Sequence, residues 1–243
     1  MVVTTKAIVL SSLKYSEADL IVRCYTESSG LKSYLLRNVL SRRVGTRKGK
    51  LKTSYFQPLT LLELEATHKN QGNLERINEA KILYPYQTLH TQVVKSALVI
   101  FLAEILTNSI QEAPEDLALY QFLEKSFIWL DSSNEIANFH ILFLIKLSMH
   151  LGFYPDTSTI AHPYFNLIEG NFQANNTGKY CVGGVHVTEL KRFFGIEFEG
   201  LSQVKPTKKI RMEILNLLIV YYQLHLQSFK KPKSLLVLNQ IFE

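Results

Sequence analysis

Residues Lys6–Val39 read KAIVLSSLKYSEADLIVRCYTESSGLKSYLLRNV, and this stretch decides the fold. Val, Ile, Leu, Tyr and Thr dominate Lys6–Leu13, Asp19–Tyr25 and Ser33–Leu40, the composition of short β-strands. Ser28-Ser29-Gly30 supplies a turn between the second and the third. Working outward, Tyr55–Glu65 and Leu74–Leu83 have the same character, with turn signals at Gly45–Gly49 and at Asn70-Gln71-Gly72-Asn73. Five short strands without a long helical pattern favour closure, because closure removes exposed sheet edges. The expectation is an OB-like five-stranded β-barrel over residues 1–84, a scaffold that commonly binds nucleic acid.

Pro85 marks a boundary, and the apolar period then changes. Between Leu89 and Leu106, Val93, Val94, Ala97, Leu98, Phe101 and Leu102 recur at three- and four-residue spacing. Val99 and Ile100 make this helix apolar nearly all round, as a central core helix would be. Pro114-Glu115-Asp116 suits the first turn of a second helix, which runs to about Leu130. A third ends at Leu151-Gly152, and Pro155 prevents its resumption. Tyr164–Ile168, Glu169-Gly170-Asn171 and Phe172-Gln173 read as a β-hairpin. Helices resume over Thr188–Phe194 and Thr207–Leu226. The fold class is therefore α+β: the barrel, then a helical domain over 85–243 with a small hairpin insert at about 156–185.

The net charge is +6 and unevenly spread. Residues 1–80 carry 13 Lys/Arg against 7 Asp/Glu, residues 81–204 carry 7 against 12, and residues 205–243 carry 7 against 2. A basic head and tail around an acidic middle point to a polyanionic partner. The apolar run Ala97–Ala103 is far shorter than the roughly 20 residues of a membrane span, so no membrane partner is expected. Met1–Ser12 lacks the pattern of a signal peptide. Cys24 and Cys181 form no CxxC, which fits a reducing cytoplasm.

Enzymatic motifs are missing: no GxxxxGK[ST], HExxH or GxSxG occurs, and the seven histidines are scattered. No catalytic residue and no cofactor are assigned. The strongest positive signal is Val39–Lys52, VLSRRVGTRKGKLK. It holds Arg42, Arg43, Arg47, Lys48, Lys50 and Lys52 without an acid, and Arg37 precedes it. Gly45 and Gly49 let such a segment bend close to a ligand, and its cations can follow a phosphate backbone. A solvated loop without a partner is the bland alternative. Tyr34 and Tyr55 offer either stacking faces for bases or barrel packing. A second patch, Lys205, Lys208, Lys209 and Arg211, opens the last long helix, where the helix dipole disfavours cations. That local cost hints at an external anion, and Ile214, Leu217, Leu218 and Tyr221 on the same helix offer apolar surface.

The opening stretch resembles the start of the RecO family through Ala7, Val9, Leu10, Tyr15, Glu17, Asp19, Thr26 and Gly30. Gln57-Pro58-Leu59, then Phe143–Pro155 (FLIKLSMHLGFYP), then Arg211, Tyr221-Tyr222, His225 and Lys233-Ser234-Leu235 continue the likeness over nearly the whole chain. The resemblance implies an OB barrel, a helical bundle and a small C-terminal module. It also implies binding to single- and double-stranded DNA, strand annealing, and work with RecR and, indirectly, RecA. The C-terminal tail of single-stranded DNA-binding protein is a further implied partner, and the cytoplasmic nucleoid the implied location. An RNA-binding module and a structural adaptor outside repair remain rival readings. One departure stands out. Many members carry four cysteines that form a zinc module after the Leu-Gly-x-x-Pro segment, whereas this chain has only Cys181 there. His162, Cys181 and His186 fall short of the four closely spaced ligands of structural zinc, so no metal is expected.

Overall fold

The computed structural model of the protein describes residues 1–40, 51–69, 74–111 and 114–241. They form two compact units: Met1–Gln92 with Val99–Asp131, and Val93–Leu98 with Ser132–Glu243. The fold is α+β, a five-stranded antiparallel sheet followed by helices and a small three-stranded sheet.

The first sheet comprises β1 (Val2–Lys14), β2 (Leu20–Thr26), β3 (Gly30–Leu36), β4 (Leu61–Thr67) and β5 (Arg76–Ile82), in the order β3-β2-β1-β4-β5. The long β1 pairs with β4 over Val2–Ile8 and with β2 over Ala7–Lys14, so it passes from one partner to the other at Ala7-Ile8. A register shift between Val9 and Ser11 marks that crossing, and such bulges strengthen strand twist. Ala7 and Val9 face a core with Val22, Cys24, Tyr34 and Leu64. The turn at Ser28-Ser29-Gly30 is where the sequence places it, with Gly30 at φ 62° and the Thr26 hydroxyl donating to the Gly30 carbonyl at 2.8 Å.

Two expectations for this sheet need correction. It does not close into a continuous barrel. β3 and the entrance to β5 meet through a parallel bridge between Tyr34 and Glu75, with Leu35 N–H on Glu75 O at 2.9 Å and Glu75 N–H on Ser33 O at 2.8 Å. Beyond that bridge the strands diverge, as in a partly open barrel. Nor does the fourth strand start at Tyr55. Thr53–Phe56 is a 3-10 turn, Pro58 offers no N–H, and Leu59 takes φ 63°, so β4 begins at Leu61. Leu59 is fully buried and held on both sides: its N–H reaches Val9 O at 2.7 Å and its carbonyl accepts the Tyr86 hydroxyl at 3.0 Å.

The helices are α1 (Val93–Ser109), α2 (Leu117–Ser132) and α3 (Phe139–His150). Helix α1 starts four residues later than its apolar period suggests, because Gln87–Leu89 is fixed otherwise. The buried Asp131 carboxylate accepts the N–H groups of Gln87, Thr88 and Leu89 at 2.8–3.0 Å, together with the Thr88 hydroxyl. Ile100 breaks the expected all-round burial of α1 and is exposed. Gly152, at φ 83°, ends α3 as a left-handed residue. No described helix is long and apolar enough to cross a membrane.

The second unit contains the small sheet, β6 (Tyr164–Asn166), β7 (Asn171–Gln173) and β8 (Cys181–Gly183), ordered β7-β6-β8. The expected hairpin is β6–β7, with Phe165 opposite Phe172; β8 is an addition on the other side of β6. Helices α4 (Val185–Lys191), α5 (Lys208–His225) and α6 (Leu235–Ile241) complete it. Thr207 caps α5 by accepting the Ile210 N–H at 3.3 Å.

Candidate nucleic-acid interface

Both roots of the basic segment are fixed to the first sheet. After β3, Asn38 adopts φ 57°, and its N–H donates to the Asp19 carboxylate at 2.8 Å. Leu40 N–H then reaches Ala18 O at 2.9 Å, while Asp19 itself is held by its N–H on the Ser16 hydroxyl. The acid of the Tyr15-x-Glu17-x-Asp19 motif thus anchors the point where the segment departs. At the return, Leu51 packs on the core, and Lys52 lies 5.8 Å from the centre of the Tyr55 ring. Arg37 and Lys52 are exposed. Arg42, Arg43, Arg47, Lys48 and Lys50 lie outside the described residues.

A cleft of about 990 Å³ opens where β3 and β5 part. Leu36 and Ile77 belong to the core and line it, with Leu35, Val39, Leu51 and Leu74 beside them. Arg37, Lys69 and Arg76, all exposed, supply its cations. The sequence reading missed Lys69 and Arg76. They flank the turn signal at Asn70–Asn73, and only the sheet topology brings them to the cleft with Arg37. Glu75 is the one acid among the described lining residues; it is buried, and its carboxylate accepts the Lys69 N–H at 2.8 Å.

Tyr34 settles as packing, not stacking surface: it is 0 % exposed and its hydroxyl meets His68 Nε2 at 2.9 Å. Burial pushes its phenol well above the ordinary range, with Cys24 and Glu75 adding to the shift. Burial likewise pulls the His68 imidazole below its ordinary value, against the opposing pull of Glu75.

The second basic patch divides. Lys205, Lys208 and Lys209 are exposed, but Arg211 is half-buried and donates from Nε to Asn138 Oδ1 at 2.8 Å. Asn138 in turn donates to Val204 O at 2.6 Å, so Arg211 braces the entry to α3. Beside it, His140 is held near pKa 3, first by burial and then by the Arg211 charge. Ile214, Leu217, Leu218 and Tyr221 are all buried, and the cavity between Lys208, Arg211, Met212 and Leu238 measures about 10 Å³. Exposed apolar side chains in this unit include Leu236 and Val237 on α6, with Met149, Ile168 and Val185 elsewhere.

The zinc that the family resemblance implies does not fit these residues. His162 Nδ1 faces Phe172 O at 3.3 Å, and His186 Nδ1 lies 3.7 Å from Glu213. Cys181 is buried against Gln173 and the Asn175 carbonyl. Among the described residues no three His, Cys, Asp or Glu side chains are grouped to hold a metal. Aromatic packing takes that place: Phe165 lies 4.9 Å from Phe172 and 5.5 Å from Tyr221, ring centre to ring centre.

A five-stranded antiparallel sheet with a cation-lined cleft, followed by helices and a small three-stranded sheet, defines a two-unit α+β protein. Profiles described as Recombination protein O N terminal and Recombination protein O C terminal match residues 1–86 and 90–235. The chain is 48% identical over 242 residues to the DNA repair protein RecO of Christiangramia forsetii, and 44% identical over 243 residues to that of Flavobacterium psychrophilum. It is 34% identical over 247 aligned positions to the RecO of Bacteroides fragilis, and each of the three alignments covers both chains completely. The chain belongs to the RecO family of DNA repair proteins.

Proposed function

We propose that this chain is a non-enzymatic recombination mediator of the cytoplasm, acting at the nucleoid. Residues 1–84 serve as the DNA-binding module, and residues 85–243 as the partner-binding module, with a metal-free insert at about 156–185. The first module binds single- and double-stranded DNA without sequence choice and anneals complementary strands. With RecR, the protein helps load the RecA recombinase. The observation that supports this reading is the cleft itself: Arg37 and Leu51, described residues on either side of the basic segment, line it together with Lys69 and Arg76.

Annealing follows from charge. Two single strands repel through their phosphates, and at 0.1 M salt that repulsion reaches over about 10 Å. Arg37, Arg42, Arg43, Arg47, Lys48, Lys50 and Lys52 neutralise phosphates and release counterions, so two strands held together lose much of their repulsion. No bond is made or broken. Lys205, Lys208, Lys209 and Arg211 form the site for the acidic tail of single-stranded DNA-binding protein, and Leu236 and Val237 offer apolar surface in the same unit. RecR and RecA are supported as partners by family membership alone.

The test is annealing of complementary labelled oligonucleotides, with and without single-stranded DNA-binding protein, in the absence of nucleotide and divalent metal. Faster annealing with intact strands is expected. No acceleration, or cleaved or joined strands, would refute the reading; faster annealing of matched RNA alone would transfer it to RNA.

A further inference from the structure

We propose that the cleft between β3 and β5 admits unstacked bases of a single strand, and that Lys69 and Arg76 hold the phosphates flanking them. The inference rests on the DNA-binding reading above and adds a strand-selecting site. Its first support is the chemistry of the cleft, which is divided. Leu35, Leu36, Val39, Leu51, Leu74 and Ile77 give it apolar walls, while Arg37, Lys69 and Arg76 carry the charge. Leu74 is 41% exposed, and Asn38, Thr67 and Asn78 add neutral polar groups to the lining. An apolar wall set beside cations fits a ligand with apolar faces and regularly spaced anions, which is what successive nucleotides present.

The second support is size and access. At about 990 Å³ the cleft stands at the upper end of small-ligand pockets, so it has room for more than a single base. A duplex keeps its bases stacked between two backbones, so it can offer phosphates to Arg37, Lys69 and Arg76 but nothing to the apolar walls. A single strand can turn bases inward while its phosphates stay at the rim. The difference between those two modes is the selectivity.

The third support is the fixed frame. The Glu75 carboxylate is turned inward and tied to the Lys69 N–H, so the acid in the cleft positions the lysine instead of opposing the strand. Bonds between β3 and Glu75 fix the near end of the cleft, and Asn38 on Asp19 fixes the wall that Arg37 occupies.

The experiment uses the full chain and three probes of equal length: a thymidine oligonucleotide, the same backbone made abasic, and a duplex, compared by fluorescence anisotropy. The thymidine strand is expected to bind about tenfold more tightly than the abasic one, the lower range for one engaged base. Lys69→Ala with Arg76→Ala, both at exposed positions, lowers single-strand affinity about tenfold and duplex affinity by less than half of that. Leu74→Ser, also exposed, narrows the gap between thymidine and abasic strands without touching the duplex. Equal affinity for thymidine and abasic strands, or equal losses on both DNA forms, overturns the strand-selecting site and leaves the DNA-binding reading standing. Failure to bind any of the three probes overturns both.

Discussion

The five-stranded and the three-stranded sheet are both antiparallel, yet backbone ladders carry the first and side chains the second. In the first, β1 shares long registers with two neighbours, and the residues around Ala7–Leu10 are buried on both faces. It can leave one side open and still hold shape. In the second, three-residue strands offer few ladder bonds, and order comes from the Phe165–Phe172–Tyr221 packing and from Asn166, which accepts the N–H groups of Ile168 and Glu169. Length of ladder decides how much freedom an edge retains for binding.

Charge reversal in the basic segment should have the largest consequence. Arg42→Glu, Arg43→Glu, Arg47→Glu and Lys48→Glu together should weaken binding to all DNA sequences alike. The slope of log affinity against log salt should fall by roughly 3, since each lost phosphate contact removes roughly 0.7–0.9. An unchanged slope in a folded variant would move the DNA site away from this segment.

The packed sheet should be broken by a single methyl. A Cβ on Gly170 would meet the Tyr221 hydroxyl at 2.7 Å, at a position whose φ of 67° already disfavours side chains. Gly170→Ala should cost about 3 kcal/mol, from the left-handed backbone and overpacking together. Urea denaturation followed by circular dichroism would read it; a loss below 1 kcal/mol would mean that the aromatic packing yields more easily than its contacts suggest.

Asp131 tests the first unit in the same way. Burial raises its carboxyl, but the N–H groups of Gln87, Thr88 and Leu89 and the Thr88 hydroxyl outweigh that and hold it below the ordinary range. Asp131→Asn, which presents donors to donors, should cost about 2 kcal/mol. The wild-type contribution is present above the unfolded value of about 3.9 and is lost as pH falls through the lower folded value. His140 places the acid response of the second unit higher. Its folded pKa, about 3, lies below the unfolded one, so stability is present above about 6.5 and declines as pH falls from there. About 2 kcal/mol should go between pH 6.5 and 5, since a unit of pH costs about 1.4 kcal/mol per proton. His140→Gln should flatten that limb, and NMR titration of the ring would show whether the histidine stays neutral.

Chelation should do least. Protein purified without chelator should carry no stoichiometric zinc, and EDTA should leave its melting temperature unchanged. About one zinc per chain, lost along with folding on Cys181→Ser, would reverse the contrast between the two sheets.

Legibility followed the same division. The enrichment of β1 and β2 in Val, Ile, Leu and Tyr, and the turn at Gly30, could be read from residue order because each position answers to its immediate neighbours. The start of β4 could not. Leu59 enters a left-handed conformation only because Val9 and Tyr86, distant in sequence, fix both its N–H and its carbonyl. β8 and α6 are too short to establish a period. At the candidate site, Arg37 and Lys52 were visible as members of a basic run, whereas Lys69 and Arg76 acquire meaning only when β5 folds back toward β3. Arg211 makes a contact that its basic cluster does not disclose: its Nε also braces Asn138.

The parting of β3 from β5 also bears on how copies of this chain meet one another. Strand edges with unpaired N–H and C=O groups recruit further strands, and charged residues are a common safeguard against that. Arg37, at the end of β3, and Arg76, at the start of β5, put like charges on the two edges that another copy would have to approach. Neutral replacements there remove a guard against edge-to-edge aggregation along with the proposed phosphate contact, whereas glutamate keeps the repulsion between copies. On the proposed reading, solubility and DNA affinity are therefore tied to the same few side chains.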